Sequence, residues 1–156
     1  MSPTIAHYPD ANSTMRISYG YIKGYSPSDA VYFDYKTTLD GLISKEDSSK
    51  NDFKVNKKLK RLYIEKAFAQ YGQDGKLPID FITTNDITGG NSGSPILNKN
   101  GEIIGIAFDG NWEAMSRDVL YEPELQRAIA VDIRYVLFLI DQLGDSGYLL
   151  KELYIR

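Results

Sequence analysis

A β-hairpin pattern in the second half of the chain most constrains how this sequence can fold. Residues 94–97 and 103–108 are two mostly apolar runs, and residues 98–101, Asn-Lys-Asn-Gly, separate them. Asn and Gly tolerate the positive φ angles that tight hairpin turns require. The pattern therefore predicts two adjacent antiparallel strands, so the fold must contain a β-sheet here.

Further strands and helices are predicted on both sides of this hairpin. Alternating or continuous apolar residues predict strands over 15–25, 31–35, 77–83 and 128–133. A turn at 26–29 would join the first two strands as an antiparallel pair. Apolar residues at helical spacing predict helices over 55–71, 134–143 and 148–154. Gly144 is expected to cap the second of these helices. The chain is thus expected to be mainly β, with an inserted helix and a C-terminal helix.

Composition limits the classes of site that the chain can carry. The 156 residues are 42% hydrophobic and 25% charged, which is typical of one globular domain or two small ones. A net charge of −3 argues against nucleic-acid binding through bulk charge. One His and no Cys nearly exclude the usual zinc site, and no other metal or cofactor is indicated.

No segment of the sequence has the pattern of a membrane span. The longest apolar run, residues 135–140, is far shorter than the roughly 20 residues that cross a bilayer. Residues 1–10 lack the basic segment and apolar run of a signal peptide. If the natural protein is exported, we expect this chain to have lost that part.

The glycine-rich stretch Thr-Gly-Gly-Asn-Ser-Gly-Ser-Pro, residues 88–95, precedes the predicted hairpin and carries the candidate chemistry. Glycines near Ser92 permit a tight loop that presents a nucleophilic hydroxyl beside backbone N–H groups. Acyl transfer needs such donors where negative charge develops on the carbonyl oxygen, and the amides of Gly90 and Ser92 are the candidates. The spacing is not the Gly-x-Ser-x-Gly elbow of α/β-hydrolases, because position 94 is Ser. Asn85 and Asp86 are expected to brace the loop through side-chain to backbone bonds.

The stretch resembles the Gly-Asp-Ser-Gly-Gly-Pro signature of chymotrypsin-like serine peptidases, with Asn and Ser at the second and fifth positions. Four longer stretches, at residues 8–16, 83–95, 107–113 and 130–136, narrow the resemblance. Together they are similar to the bacterial dipeptidyl-peptidase 7 and 11 family. These are exported serine exopeptidases of Gram-negative bacteria that release dipeptides from peptide N-termini. The resemblance runs from about Tyr8 to the end of the chain.

This resemblance implies a fold and a division of labour. Family members are several times longer, with a chymotrypsin-type double β-barrel and a helical domain that caps the cleft. The chain, 1–156, resembles only their second, C-terminal β-barrel, which carries the nucleophile Ser92. The catalytic His and Asp would come from the missing first barrel. His7 is the only His, and we expect it to be incidental and to lie in an N-terminal tail, 1–7. The chain is therefore expected to be a fragment that is inactive alone.

The resemblance also implies how substrate is selected. Asp109 would bind the free amino terminus of the peptide. At the position of Gly110, family members have Arg when they take acidic penultimate residues and Gly when they take bulky apolar ones. A glycine leaves volume without charge, whereas an arginine would pair with a carboxylate, so the chain resembles the dipeptidyl-peptidase 7 subtype. The alternatives are that Asp109 caps a turn and that Gly110 is a turn residue. Trp112 is expected to pack beside the pocket rather than to bind ligand.

The expected partners are a peptide substrate, and the missing N-terminal barrel and helical domain of the same enzyme. A half double-barrel would expose the apolar face that meets its partner, so self-association, as in a homodimer, is also expected. Neither nucleic acid nor membrane is an expected partner. The implied location is the periplasm or cell surface of a Gram-negative bacterium. One alternative is a non-catalytic peptide-binding or interaction module that kept the barrel, and another is a chain that complements a separate N-terminal half.

Overall fold

The computed structural model describes residues 15–116 and 121–155, and the fold is mainly β. Seven strands are present in the described residues: β1 Tyr25–Ser28, β2 Val31–Phe33, β3 Lys36–Thr38, β4 Pro78–Thr83, β5 Pro95–Leu97, β6 Ile103–Gly110 and β7 Ala128–Asp132. The α-helices in this part of the chain are α1 Leu39–Ser44, α2 Lys57–Ile64 and α3 Ile133–Phe138. The last continues into a π-helical turn, Leu139–Leu143. Short 3₁₀ turns occupy Asn51–Phe53, Ala69–Tyr71, Trp112–Ser116 and Gly147–Glu152.

The strands form two sheets, which confirms the predicted fold class. β1 and β2 form an antiparallel pair, and the other strands form a five-stranded sheet in the order β3-β4-β7-β6-β5. The predicted hairpin is confirmed, because β5 pairs antiparallel with β6 in a register that places Ile96 opposite Gly105. Its turn contains Gly101 at φ 79°, a conformation that favours glycine.

Contacts divide the chain into two compact units. The hairpin unit comprises Met1–Lys36 and Phe81–Val131, and it contains the predicted catalytic loop. The helical unit comprises Thr37–Asp80 and Asp132–Arg156. The hairpin unit holds the glycine-rich loop and strand β6, and all three α-helices lie in the helical unit.

The helical unit is built on a continuous apolar cluster. Three of its side chains are fully buried, namely Leu39, Leu77 and Phe138. The rings of Phe68 and Phe138 pack edge to face, with their centroids 6.3 Å apart. Helix α2 packs Leu59 and Leu62 into this cluster. Asn56 caps that helix, because its side chain accepts hydrogen bonds from the first-turn amides at 2.8 and 3.3 Å. No helix in the described residues is both long and apolar enough to cross a membrane.

The hairpin unit is held together by a close approach and a buried cation. Gly105 lies so close to its neighbours that a Cβ there would be 2.6 Å from a ring carbon of Phe81. Arg127 is only 2% exposed, and its guanidinium donates hydrogen bonds to five backbone carbonyl oxygens. The acceptors are the carbonyls of Lys23, Gly24, Pro123, Glu124 and Gln126. These bonds satisfy the cation without a carboxylate and join two segments distant in sequence.

Several predicted boundaries differ from the structure. The strand predicted over 15–25 is an extended segment whose Ile22 forms a single bridge to Thr83, and the turn predicted over 26–29 is largely strand β1. The alternating residues of 15–21 point to solvent instead of covering a core, so the alternation did not mark a half-buried strand. Helix α2 is shorter than predicted, because the chain turns at Lys66 with φ 52°. The helix predicted over 148–154 is a 3₁₀ turn.

Candidate active site

Two consecutive tight turns form the loop that presents Ser92. In the first, the Asn91 amide donates to the Thr88 carbonyl at 3.2 Å, and Gly90 at the third position has φ 91°. In the second, the Ser94 amide donates to the Asn91 carbonyl at 3.0 Å, and Gly93 at the third position has φ 87°. A positive φ at the third position of a turn favours glycine. The turn geometry therefore accounts for the glycines that flank Ser92, and Gly90 and Ser92 are both exposed.

The loop is attached to strand β6 beside it. The Gly93 amide donates to the Ala107 carbonyl at 2.8 Å, and the Ala107 amide donates to the Ser94 carbonyl at 2.9 Å. The Ser92 hydroxyl donates to the Phe108 carbonyl at 3.2 Å. The hydroxyl therefore rests on the backbone of β6, and the described residues contain no imidazole, since His7 lies outside them together with the predicted tail.

Arg16 braces the other side of the loop, an interaction that the sequence did not reveal. Its guanidinium donates to the Asp86 carbonyl at 3.1 Å and to the Asn91 Oδ1 at 3.2 Å, and it forms an ion pair with the Asp86 carboxylate. The side chains of Arg16 and Asp86 are each 12% exposed. The predicted bonds from the Asn85 and Asp86 side chains to the loop backbone are not present among the described residues, because the Asp86 carboxylate binds Arg16 instead. The side chain that bonds the loop backbone is that of Asn91, whose Oδ1 accepts from the Thr88 amide at 2.8 Å.

The two residues expected to select substrate end strand β6. Asp109 is exposed, and one of its carboxylate oxygens accepts a hydrogen bond from the Gly110 amide at 2.7 Å. A carboxylate has further acceptor sites, so this bond leaves capacity for a cationic ligand. Asn111 follows and is buried, with its side chain bonded to Glu113 and to the backbone of Leu125 and Arg127. The end of β6 is therefore a fixed wall rather than a free loop.

Glu113 links this wall to strand β1. Its carboxylate accepts hydrogen bonds from the Tyr25 hydroxyl and from the Asn111 side chain, each at 2.8 Å. Burial, together with the Glu113 charge, raises the pKa of Tyr25 above its usual value, although the neighbouring Asn111 opposes that change. The Tyr25 hydroxyl therefore stays protonated at neutral pH and acts as a donor to the carboxylate.

A shallow cleft lies beside residues 85–87, at the base of the loop, and it is too small to enclose a side chain. Its lining includes Asp86, Ile87, Ala114, Tyr121, Arg127 and Ala128. The two charged groups among these residues are both engaged within the unit, Asp86 by Arg16 and Arg127 by backbone carbonyls. The cleft therefore presents apolar surface with its charges already compensated.

The structure places some predicted residues together and corrects one prediction. Ser92, Gly90, Asp109 and Gly110 all lie on the loop and strand of the hairpin unit. The prediction that Trp112 packs beside a pocket is wrong, because 82% of its surface is exposed. Arg16 and Arg127 were missed, since the Arg16 partners Asp86 and Asn91, and two of the Arg127 partners, Lys23 and Gly24, are about 70 to 100 residues away in sequence.

Comparison with known proteins identifies close relatives. The chain is 55% identical over 148 residues to the dipeptidyl-peptidase 7 of Phocaeicola vulgatus, which covers 94% of this chain and 20% of that protein. It is 52% identical to the dipeptidyl-peptidase 7 of Porphyromonas gingivalis, covering 98% and 22%. It is also 50% identical to the Asp/Glu-specific dipeptidyl-peptidase of the same species, covering 95% and 21%. The chain thus spans about a fifth of the length of these relatives.

A solved structure has the same fold. Porphyromonas endodontalis DPP11 in complex with the dipeptide Arg-Glu superposes with a TM-score of 0.85 at 46% identity, over 86% of this chain and 20% of that one. This likeness confirms the expected fold. The Peptidase S46 family profile matches residues 1–155, nearly the whole sequence. On this evidence the chain belongs to the peptidase S46 family.

Proposed function

We propose that residues 1–156 are the C-terminal, nucleophile-bearing β-barrel of a serine dipeptidyl-peptidase. The single observation that carries this proposal is the pair of glycine turns that present an exposed Ser92 beside strand β6. Membership of peptidase S46 and the names of the relatives support the same reaction.

In the proposed reaction Ser92 Oγ attacks the carbonyl carbon of the second residue of a peptide. The hydroxyl proton passes to a histidine, held by an aspartate, that another part of the enzyme supplies, and the amides of Gly90 and Ser92 bind the oxyanion. The peptide bond then breaks, its amine leaves with that proton, and water hydrolyses the acyl-enzyme. The Ser92 hydroxyl must first leave the Phe108 carbonyl, to which it donates here. Without that base the isolated chain holds a placed but unactivated serine.

Asp109 is the group that we propose for recognition of the free amino terminus. It is exposed at the end of the strand to which Ser92 Oγ is bonded, and its carboxylate keeps acceptor capacity beyond the Gly110 amide. An ammonium group bound there would place the peptide so that the attacked carbonyl is that of the second residue. This limit is what would make the enzyme release dipeptides.

We propose a preference for a bulky apolar penultimate residue. Gly110 contributes neither a side chain nor a charge at the end of β6. A penultimate carboxylate placed beside it would lose its hydration without gaining a cation from that position. Identity alone does not separate the subtypes, because relatives with both names are about equally similar.

The proposed partners are a peptide and the remaining parts of a longer peptidase, an N-terminal barrel and a helical domain. An exposed apolar row on the N-terminal extended segment supports such an association: Met15, Ile17, Tyr19 and Tyr21 are 78–93% exposed. Such a row favours burial against a partner or, when the partner is missing, against a second copy in a homodimer. Export to the periplasm or cell surface of a Gram-negative bacterium is part of the same proposal.

A second candidate function is a non-catalytic module that binds peptides through the same wall. The observation that favours it is that the sequence has a single histidine, His7, 85 residues before Ser92. In that case Asp109 would bind a peptide end, and Ser92 would have no chemical role.

An exchange of segments tests the proposal. The 148 aligned residues of the Phocaeicola vulgatus relative are replaced by the matching residues of this chain, to give the exchanged enzyme. We expect it to release dipeptides from peptides with a bulky apolar second residue, and we expect Ser92→Ala to abolish that release. The matched variant Gly110→Arg should shift the preference toward acidic second residues.

Two results would argue against the proposal. Dipeptide release that persists after Ser92→Ala would remove Ser92 from the reaction. Peptide binding without hydrolysis, in a folded exchanged enzyme, would favour the non-catalytic module. Loss of binding in Asp109→Asn with unchanged folding would support the proposed amino-terminus site in either case.

A further inference from the structure

The extended segment before β1 is anchored beside the nucleophile loop. The Thr84 amide donates to the Tyr21 carbonyl, and the Tyr21 amide donates to the Thr84 hydroxyl, each at 2.9 Å. Ile22 forms a bridge to Thr83 at the end of β4. These contacts fix the segment from which Arg16 reaches the loop.

The Arg16 guanidinium joins the last residue of the first tight turn to the backbone just before that turn. It donates to the Asp86 carbonyl, two residues before the turn begins, and to the Asn91 side chain at its last position. The Asp86 carboxylate pairs with the same guanidinium in a largely buried environment. Arg is suited to this role, since its planar group bonds several acceptors at once and stays charged at all physiological pH values.

Asn91 transmits this contact to the reacting residues. Its Oδ1 accepts from Arg16 at 3.2 Å and from the Thr88 amide at 2.8 Å, and its own amide closes the turn onto the Thr88 carbonyl. Gly90 lies inside that turn and Ser92 directly follows it. The orientation of both proposed oxyanion amides therefore depends on the placement of the Asn91 side chain.

We propose that Arg16 is a positioning residue that holds the Gly90 and Ser92 amides in the orientation needed to bind an oxyanion. The proposal rests on the function proposed above, because it takes Ser92 as the nucleophile. Arg16 does not touch the reacting atoms. It acts through Asn91 and Asp86. Because its guanidinium stays charged and its partners belong to the chain itself, the brace is present whether or not substrate is bound.

Amide hydrogen exchange in the 156-residue chain tests the brace without any catalysis. Hydrogen bonds to a charged group are worth more than neutral ones, so their loss should open the turn measurably. In Arg16→Ala we expect the Thr88 and Asn91 amides to exchange about 10- to 100-fold faster. Arg16→Lys keeps the charge but not the planar group, and it should lie between wild type and Arg16→Ala.

Two references show whether the effect is local. The Leu39 amide, bonded to the Leu77 carbonyl at 2.8 Å in the helical unit, should exchange at its wild-type rate in every variant. Arg61→Ala removes an exposed arginine from helix α2 and should leave the loop amides unchanged. Unchanged Thr88 and Asn91 exchange in Arg16→Ala would overturn the proposal, as would faster exchange throughout the chain in both Arg16 variants.

Kinetics of the exchanged enzyme test the positioning role. Loss of an oxyanion donor lowers kcat by about 100- to 1000-fold, so a misplaced donor should lower kcat by a smaller factor, about 10- to 100-fold, with little change in KM. Methylguanidinium added to Arg16→Ala should restore part of kcat, which a loss of folding would not permit. An unchanged kcat with an opened turn would overturn the positioning role. If the exchanged enzyme is inactive even with Arg16 in place, that result argues against the proposed function. The amide hydrogen-exchange rates of the 156-residue chain then decide by themselves whether Arg16 braces the turn.

Discussion

Gly93 and Gly89 form a matched pair that tests whether the nucleophile loop is built on backbone geometry. Gly93 has φ 87°, whereas the φ of Gly89 lies outside the positive region. A Cβ added at either residue would meet no atom within 4 Å. The two alanine substitutions therefore differ in backbone conformation and not in steric contact.

The expected destabilisation follows from that difference. An L-residue in the left-handed region costs about 1–2 kcal/mol, so Gly93→Ala should lower the free energy of unfolding by about that amount. For a chain of this length each kcal/mol changes Tm by about 2–4 °C, so Tm should fall by about 2–8 °C. Gly89→Ala should leave Tm unchanged or raise it slightly, because alanine restricts the unfolded chain more than glycine does.

Thermal unfolding followed by circular dichroism measures both variants in the 156-residue chain. Equal Tm values for the two variants would refute the assignment of Gly93 to a left-handed turn position. A larger fall in Tm in Gly89→Ala than in Gly93→Ala would refute that assignment more strongly.

Three further substitutions probe the packing of the hairpin unit and a buried charge in the helical unit. Replacing Arg127 by Met leaves several buried carbonyls without their donor and should lower the free energy of unfolding by about 3 kcal/mol, as measured by urea unfolding. Gly105→Ala forces a Cβ to within 2.6 Å of the Phe81 ring and 2.8 Å of the Val131 carbonyl, and it should destabilise by about 1–3 kcal/mol in the same assay, whereas no change would mean that the strands relax apart. Burial raises the pKa of Asp80 above its ordinary 3.8, so the folded state loses stability relative to the unfolded state as pH rises through that raised pKa. Asp80→Asn should therefore be more stable than wild type at pH 7, and the difference should vanish below about pH 3.8, as followed by Tm against pH.

The hairpin and the loop before it could be predicted because their signals are local. Asn and Gly in residues 98–101 and the glycines around Ser92 specify turns through φ preferences that need no distant partner. Strands β4 and β7 were predicted within one or two residues, since both are short, mostly apolar runs. Local backbone preference was therefore sufficient for the part of the fold that carries the site.

The remaining features depend on contacts between distant segments. The alternation of Met15, Ile17 and Tyr19 suggests a half-buried strand, yet these side chains are exposed and the segment is fixed mainly by bonds to Thr83 and Thr84. Nothing in the sequence near Arg16 indicates that its partners lie at residues 86 and 91. An apolar side chain predicts burial only when the element that covers it is known, which is also why the prediction for Trp112 was wrong.

Covalent labelling by a fluorophosphonate probe, read by intact mass, tests most directly whether Ser92 is the nucleophile of a serine peptidase. The exchanged enzyme and the isolated 156-residue chain would be incubated side by side, each with its Ser92→Ala variant. We predict one adduct on the exchanged enzyme, lost in Ser92→Ala, and no adduct on the isolated chain, whose hydroxyl has no base. An adduct that survives Ser92→Ala, or no adduct on an exchanged enzyme whose unmodified parent is labelled, would contradict the central claim.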